Sequence, residues 1–255
     1  MKFSSLFRID LFWLRLYKLT RFIFYPKLIY FLIKGISPAF EHEDILRSIK
    51  KINTLIDCGS NKGQFAILCY SLNKIKNFIG IDPVVSPKET LAYFERNSVN
   101  CNYKRIALSN THGSAKFFLT ERIDSSSLKK TNLNSKKYFS DLYEVGSLKV
   151  DVTTLNSMEN QLLNLESPRL LKIDVQGNEY ELLDGADKVL NLFEYIFIEC
   201  SHENLYENVK YDVQDIHKKL LEFKFELIKE YNYIWRNNKL ISVDRAYKRV
   251  KNYIN

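Results

Sequence analysis

Four carboxylates each close a short apolar run. Asp57 follows Thr54-Leu-Ile, Asp82 follows Phe78-Ile-Gly-Ile, Asp174 follows Leu170-Leu-Lys-Ile, and Glu199 follows Tyr195-Ile-Phe-Ile. Runs of this length and composition read as buried strands, and the residue that ends one sits at its C-terminal tip. In an open parallel sheet those tips share one edge, and ligands bind there. Four acids on one edge make an electronegative crevice suited to a cation. The first acid also opens a turn, Asp57-Cys-Gly-Ser-Asn-Lys-Gly63, in which Gly59 and Gly63 bracket polar residues before an amphipathic stretch from Gln64 to Leu72.

That turn selects among nucleoside cofactors. A dinucleotide site needs G-x-G-x-x-G, because the pyrophosphate must approach the backbone and a helix N-terminus. With Gly59 as the middle glycine, the first position is Asp57 and the third is Lys62. A carboxylate in the first position repels a pyrophosphate, which argues against a nicotinamide oxidoreductase. It suits a ligand with a cationic amino-acid end, such as S-adenosylmethionine: an ammonium, a sulfonium and a ribose, with no phosphate. Asp82 lies about 20 residues beyond the turn, where an acid commonly meets ribose hydroxyls.

The elements that must position these residues follow from periodicity. Helices are expected over 41–52, 64–72, 88–97, 156–164 (capped by Asn156), 179–183 and 211–222, the last burying Val213, Ile216, Leu220 and Leu221. Strands are expected at 54–57, 78–82, 103–108, 114–120, 148–153, 170–175 and 195–200. An antiparallel pair, 223–228 and 233–243, turns at Asn237-Asn238. Residues 121–147 are rich in Ser, Lys and Asn and read as a functional loop or a disordered insertion. Alternating strands and helices with a terminal antiparallel pair give an α/β fold: one mostly parallel, doubly wound sheet.

The 255 residues suffice for one such domain with an appendage, and 45% hydrophobic with 27% charged residues is ordinary for a globular chain. Cys58, Cys69, Cys101 and Cys200 are scattered without C-x-x-C, and the four histidines show no metal spacing, so neither a disulfide framework nor a zinc site is expected. Charge is uneven. Residues 1–34 carry seven Lys and Arg against Asp10, a net +6. Residues 236–251 carry six against Asp244, a net +5, so the stretch between is left at −3 of the total +8. Nucleic-acid methylation is compatible with a pI of about 9.1. The basic residues nonetheless lie at the two ends, and no RNA-binding module is recognisable.

Leu6 to Ile33 mixes Arg8, Arg15, Lys18 and Arg21 with Phe7, Phe12, Trp13, Tyr17 and Phe22, and Pro26 kinks or ends its first helix. Its charges are too frequent for a spanning helix or a signal peptide. It reads either as a helix lying in a membrane interface or as one packed on the domain or a second subunit. The expected division is a basic aromatic N-terminal segment, 1–40, and a catalytic domain, 41–255, in a cytoplasmic protein peripheral on the inner face of the membrane. A non-catalytic membrane adaptor is the reading in which that segment is the point of the chain.

Several motifs in order resemble the FkbM family of S-adenosylmethionine-dependent methyltransferases. They are Asp57–Gly63, Gly80-Ile-Asp82-Pro83, Ile106-Ala-Leu-Ser109 with Gly113, Val152-Thr-Thr-Leu155, and Lys172-Ile-Asp-Val-Gln-Gly177 running on to Leu183-Asp-Gly-Ala186. The resemblance spans residues 40–205. It implies a Rossmann-like fold and O-methylation of a hydroxyl on a sugar or surface-glycan precursor, with a small-molecule or lipid-linked glycan as acceptor. It places Gly59, Ser60, Asn61 and Gly63 of the Asp57 turn at the methionine end and Asp82 at the ribose. It sets Ala107 beside the adenine and Asp174 near the sulfonium and the acceptor. The chain departs from the pattern at Asp82, where Glu is more usual, at Ser109, where Gly is common, and at Gln176, where Glu is frequent. Acceptor deprotonation needs a base. His202, three residues past Glu199, and Asp174 are the candidates. Asp174 with Glu199 could instead hold a divalent cation.

Overall fold

Leucine and β-branched runs build the central sheet of the computed structural model, which describes residues 20–250. The strands are β1 (Thr54–Cys58), β2 (Asn77–Ile81), β3 (Asn100–Lys104), β4 (Ala107–Leu108), β5 (Gly113–Thr120), β6 (Glu144–Thr153), β7 (Arg169–Ile173), β8 (Tyr195–Ser201), β9 (Phe225–Arg236) and β10 (Lys239–Arg249). Seven of them form one sheet in the order β3-β2-β1-β7-β8-β10-β9. All neighbours are parallel except that β10 runs antiparallel to both β8 and β9. Strand order runs one way from β1 and the other way from β7. The switch point therefore lies between β1 and β7, where open α/β sheets bind ligands.

Successive residues of each central strand face opposite layers. Ile56, Ile79 and Leu171 enter one core, with Leu182, Leu190, Ile216 and Leu220. Leu55, Phe78 and Leu170 enter the other, with Phe31, Phe40, Leu46 and Leu68. Asn237 and Asn238 both take positive φ, 50° and 59°, as a two-residue turn between twisted strands requires.

Some expectations needed correction. The strand expected over 103–108 divides. β3 is a half-exposed edge of the main sheet, while Ala107 and Leu108 leave it to pair with Val152 and Thr153. A small second sheet, β4-β6-β5, results. Its cause is a separate apolar cluster of Ala107, Phe117, Val150 and Val152, which an edge strand could not have covered. Asn156 caps no helix: its side chain bonds Asp187 and the Lys188 amide, and the α-helix there spans only Glu159–Leu163. Leu221 is 47% exposed. Residues 121–147 are folded, with a 3-10 turn at Ile123–Ser125 and a helix at Leu133–Tyr138.

The division expected at residue 40 falls inside a core. Phe22, Leu28, Phe31, Ile36 and Phe40 are buried beside Leu46, Leu55 and Phe65. Arg21 pairs with Glu43, and the Tyr25 hydroxyl donates to Glu43 at 2.6 Å. Pro26 opens a 3-10 turn, Pro26–Leu28, between helical residues 20–24 and the helix Ile29–Ile33. Residues 6–19 of the expected anchor lie outside the described residues.

Candidate active site

Gly59 and Gly63 shape the turn after β1. Gly59 has φ +80°, and a Cβ there would stand 1.8 Å from the Asp174 carbonyl oxygen, so the ends of β1 and β7 meet only because residue 59 lacks a side chain. Gly63 has φ +84°, and a Cβ there would strike Thr90. Gly63 also precedes the helix Gln64–Asn73.

Over the tips of β1, β2 and β7 lies a cavity of about 330 Å³. Of the residues expected at the site, Asp57, Gly59, Ser60, Asn61, Asp82, Ala107 and Asp174 line it; Gly63, Glu199 and His202 do not. Two segments outside the glycine turn complete the wall. Ser37, Ala39, Glu41 and His42 come from the N-terminal side, and Ile123, Asp124, Ser126 and Leu128 from the polar insertion. Val84, Ile106, Leu108 and Phe117 make it apolar beside Ala107.

Asp57 is 1% exposed. Its two carboxylate oxygens, Ser60 Oγ and Asn61 Oδ1 are buried without a hydrogen-bond partner in the protein. Buried polar atoms are rarely left so, and four around one cavity mark a place for a ligand rich in donors. Burial pushes the Asp57 carboxyl up to about 6, with Lys172 pulling against it and Asp174 and Asp82 adding to it. Asp82 is more committed. One oxygen accepts the Val84 and Val85 amides at 2.9 and 2.7 Å, and the other accepts the Asn61 amide at 3.0 Å. Burial still holds its pKa above the ordinary value against those three amides.

The crevice is less electronegative than four bare acids would be, because Lys172 lies in its floor. Lys172 is paired in register with Asp57 across β7 and β1. Its Nζ stands 2.8 Å from Asp174 Oδ2 and 3.9 Å from Asp57 Oδ1. Burial opposes its charge, but the two aspartates outweigh burial and hold its pKa above the usual value. Burial would likewise raise Asp174; the Lys172 ammonium and the hydrogen bonds around the carboxylate hold it low instead.

Gln176 occupies the space between Asp174 and Glu199, where a divalent cation is only the alternative reading. Its Nε2 donates to Asp174 Oδ1 at 2.6 Å and to Glu199 Oε2 at 3.0 Å, while its Oε1 lies 2.8 Å from the Tyr206 hydroxyl. Its backbone sits at φ 58°, a left-handed conformation unusual for this residue type. Glu199 thus stands behind the amide, its pKa raised well above the ordinary value by burial and by the Asp174 charge. No group of three or more His, Cys, Asp or Glu among the described residues is arranged to hold a metal. His202 is exposed, with its backbone amide bonded to Ile241, and does not reach the cavity.

Sequence reasoning missed Lys172, Glu41, His42 and Asp124. For Lys172 there was a signal, a lone charge inside a strand that is otherwise apolar. His42 gave none. It is buried, its Nδ1 lies 3.0 Å from the Tyr231 hydroxyl, and it comes from a segment distant in sequence from the glycine turn.

The model of the methyltransferase FkbM domain matches residues 57–234. The chain belongs to the FkbM methyltransferase family. Among curated proteins no sequence relative matches. Two solved structures illustrate what the chain is similar to. An rRNA methylase from Streptococcus thermophilus is 11% identical, with 84% of this chain and 97% of that one covered at a TM-score of 0.43. The magnesium protoporphyrin IX methyltransferase of Synechocystis PCC 6803 with bound S-adenosylmethionine is 9% identical, with 83% and 81% covered at a TM-score of 0.43.

As an FkbM-family methyltransferase the chain uses S-adenosylmethionine. The cavity fits that ligand on its own chemistry. Asp57 offers two unbonded carboxylate oxygens to an ammonium, Asn61 and Ser60 offer further acceptors, and Ala107 with Phe117 gives an apolar wall suited to a purine.

Proposed function

We propose that this methyltransferase acts on a hydroxyl oxygen of a sugar or surface-glycan precursor. The observation that supports this acceptor class is the charge of the cavity wall. Its ionisable lining is Glu41, Asp57, Asp82, Asp124 and Asp174, with Lys172 already paired and His42 beside them. Carboxylates accept hydrogen bonds from the many hydroxyls of a carbohydrate. A nucleic acid would bring phosphates to the same carboxylates, where recognition needs Lys and Arg.

In this reading Asp57, Ser60 and Asn61 hold the methionine end, with Gly59 and Gly63 setting the turn. Asp82 takes a ribose hydroxyl on a remaining lone pair, and Ala107 borders the adenine. S-adenosylmethionine supplies a methyl group already activated on a sulfonium, so transfer is an in-line displacement. The chain must then align the acceptor oxygen at roughly 3–3.5 Å and accept its proton. Asp174 suits that task, with its side chain about a third exposed to the cavity while Lys172 and Gln176 fix both oxygens. Its low pKa makes it a weak base. It is therefore best suited to orient the hydroxyl before the reaction and take the proton as the C–O bond forms.

The test uses radiolabelled S-adenosylmethionine with nucleotide-sugar and lipid-linked glycan acceptors beside bulk RNA. Label in a glycan, stable to alkali as an ether should be, is expected. Label in RNA alone would overturn the acceptor class. On the true acceptor, Asp174→Asn should lower turnover by about 10²-fold or more, while His202→Ala leaves it unchanged. An unaffected Asp174→Asn variant would remove Asp174 from this role.

A further inference from the structure

Within residues 22–33, Phe22, Leu28 and Phe31 bury themselves, yet five large apolar side chains between and beyond them stay in solvent. Ile23 is 77% exposed, Phe24 70%, Ile29 42%, Leu32 39% and Ile33 79%. In the helix Ile29–Ile33 the exposed residues 29, 32 and 33 fall at the i, i+3, i+4 spacing of a single face. Ile23 and Phe24 are exposed on the helical residues that precede the Pro26–Leu28 turn. Clustered exposed apolar side chains rimmed by charge mark an interaction surface.

The rim is basic. Lys27 is exposed beside the apolar residues. Lys34 Nζ lies 3.6 Å from Glu89 with both side chains more than 40% exposed. Lys62 Nζ reaches the Gly35 carbonyl at 3.5 Å, and Arg96 donates to the Tyr30 hydroxyl at 3.2 Å. Residues 1–34 carry +6 of the chain's +8. A second copy docked face to face would set this rim of Lys27, Lys34, Lys62 and Arg96 against itself, whereas an anionic lipid surface complements the charge and takes up the apolar tips. No helix among the described residues is long and apolar enough to cross a membrane, so such a surface lies on a bilayer instead of spanning it.

We infer that the face made by Ile23, Phe24, Ile29, Leu32 and Ile33, with Lys27 and Lys34, docks reversibly on an anionic bilayer. This goes beyond the proposed acceptor and does not depend on it. It has a geometric corollary. Ser37, Ala39 and Glu41, only a few residues on, line the cavity, so docking holds the cavity close to the lipid headgroups.

The test is flotation of the full chain with phosphatidylcholine vesicles, with and without about one-third phosphatidylglycerol. Binding is expected only with the anionic lipid and should weaken between ~0.05 M and ~0.5 M salt. The double variant Phe24→Ser, Ile33→Ser changes only exposed side chains and should keep its circular dichroism spectrum while binding falls at least about tenfold. Lys27→Ala and Lys34→Ala should each weaken binding about fivefold. Arg236→Ala, at the other basic end, should not. The inference is overturned if anionic vesicles fail to float the chain, or if the Phe24, Ile33 variant floats as well as the parent. It is equally overturned if sedimentation shows a parent dimer that this variant turns into a monomer, for then a second copy covers the face.

Discussion

With its ionisation held near pH 6, Asp57 costs the fold stability, and in the proposed reading it does so to meet the ammonium of the cofactor. Unfolded, the same carboxyl titrates at the ordinary 3.8. Between those two values the folded state binds more protons than the unfolded one, so this group's contribution to stability falls as pH rises through that window. At neutral pH the cost is about 3 kcal/mol, borne by a carboxylate with no hydrogen bond. Asp57→Asn should therefore raise the thermal midpoint of the ligand-free protein and abolish measurable S-adenosylmethionine binding. The parent's affinity, measured by calorimetry, should fall about tenfold from pH 7.5 to pH 5 as Asp57 takes up its proton. A variant that binds normally, or a parent whose affinity ignores pH, would remove Asp57 from the ammonium. At this scale the sequence was readable where chemistry stood at a strand tip: Asp57, Asp82 and Asp174 all reach the cavity. Glu199, expected at a strand tip, lies two residues short of the end of β8 and is screened by Gln176, because where a strand ends and which side chains cross it depend on its neighbours. Lys172 is the counter-case. Its meaning came from its register opposite Asp57, which no single strand reveals.

Elements were legible where periodicity and turn chemistry agreed. The helix Val213–Glu222 buries Val213, Ile216 and Leu220, and Asp212 caps it by accepting from the Gln214 and Asp215 amides while Asp215 bonds back. Asp212→Ala should cost about 1 kcal/mol, read as a lower urea midpoint with unchanged slope. A shift within error would mean the capping box contributes nothing measurable. Leu221 was misjudged because an apolar residue beside a buried stripe looks the same in sequence whether or not a neighbour covers it. The second sheet was missed for a related reason. Two residues, Ala107 and Leu108, are too short a pattern to show that they leave one sheet for another. The polar insertion was read as loop or disorder by composition. Its folding depends on long-range bonds, such as Ser127 Oγ to the Gln176 carbonyl at 2.6 Å, that composition does not encode.

For the molecule as a whole, charge and topology were legible separately but not how they combine. The slightly acidic middle of the chain carries the cavity, and Phe22, Leu28, Phe31, Ile36 and Phe40 from the described part of the N-terminal side pack into the core beside it. Topology adds a dependence on the last strand. β10 holds β8 on one side and β9 on the other. A chain stopped at Asn238 would leave β8 with an open, apolar edge and β9 without its partner strand, and it should be recovered in the insoluble fraction; a soluble, monomeric product with native circular dichroism would contradict this. The same arrangement sets a clock on biosynthesis. β8 and β9 leave the ribosome before the strand that joins them, so the sheet cannot close from the N-terminus as it emerges. For that interval β8, paired only with β7, has one open edge and β9 has no partner, and the nascent chain is a client for whatever shields exposed edges until residues 239–249 arrive.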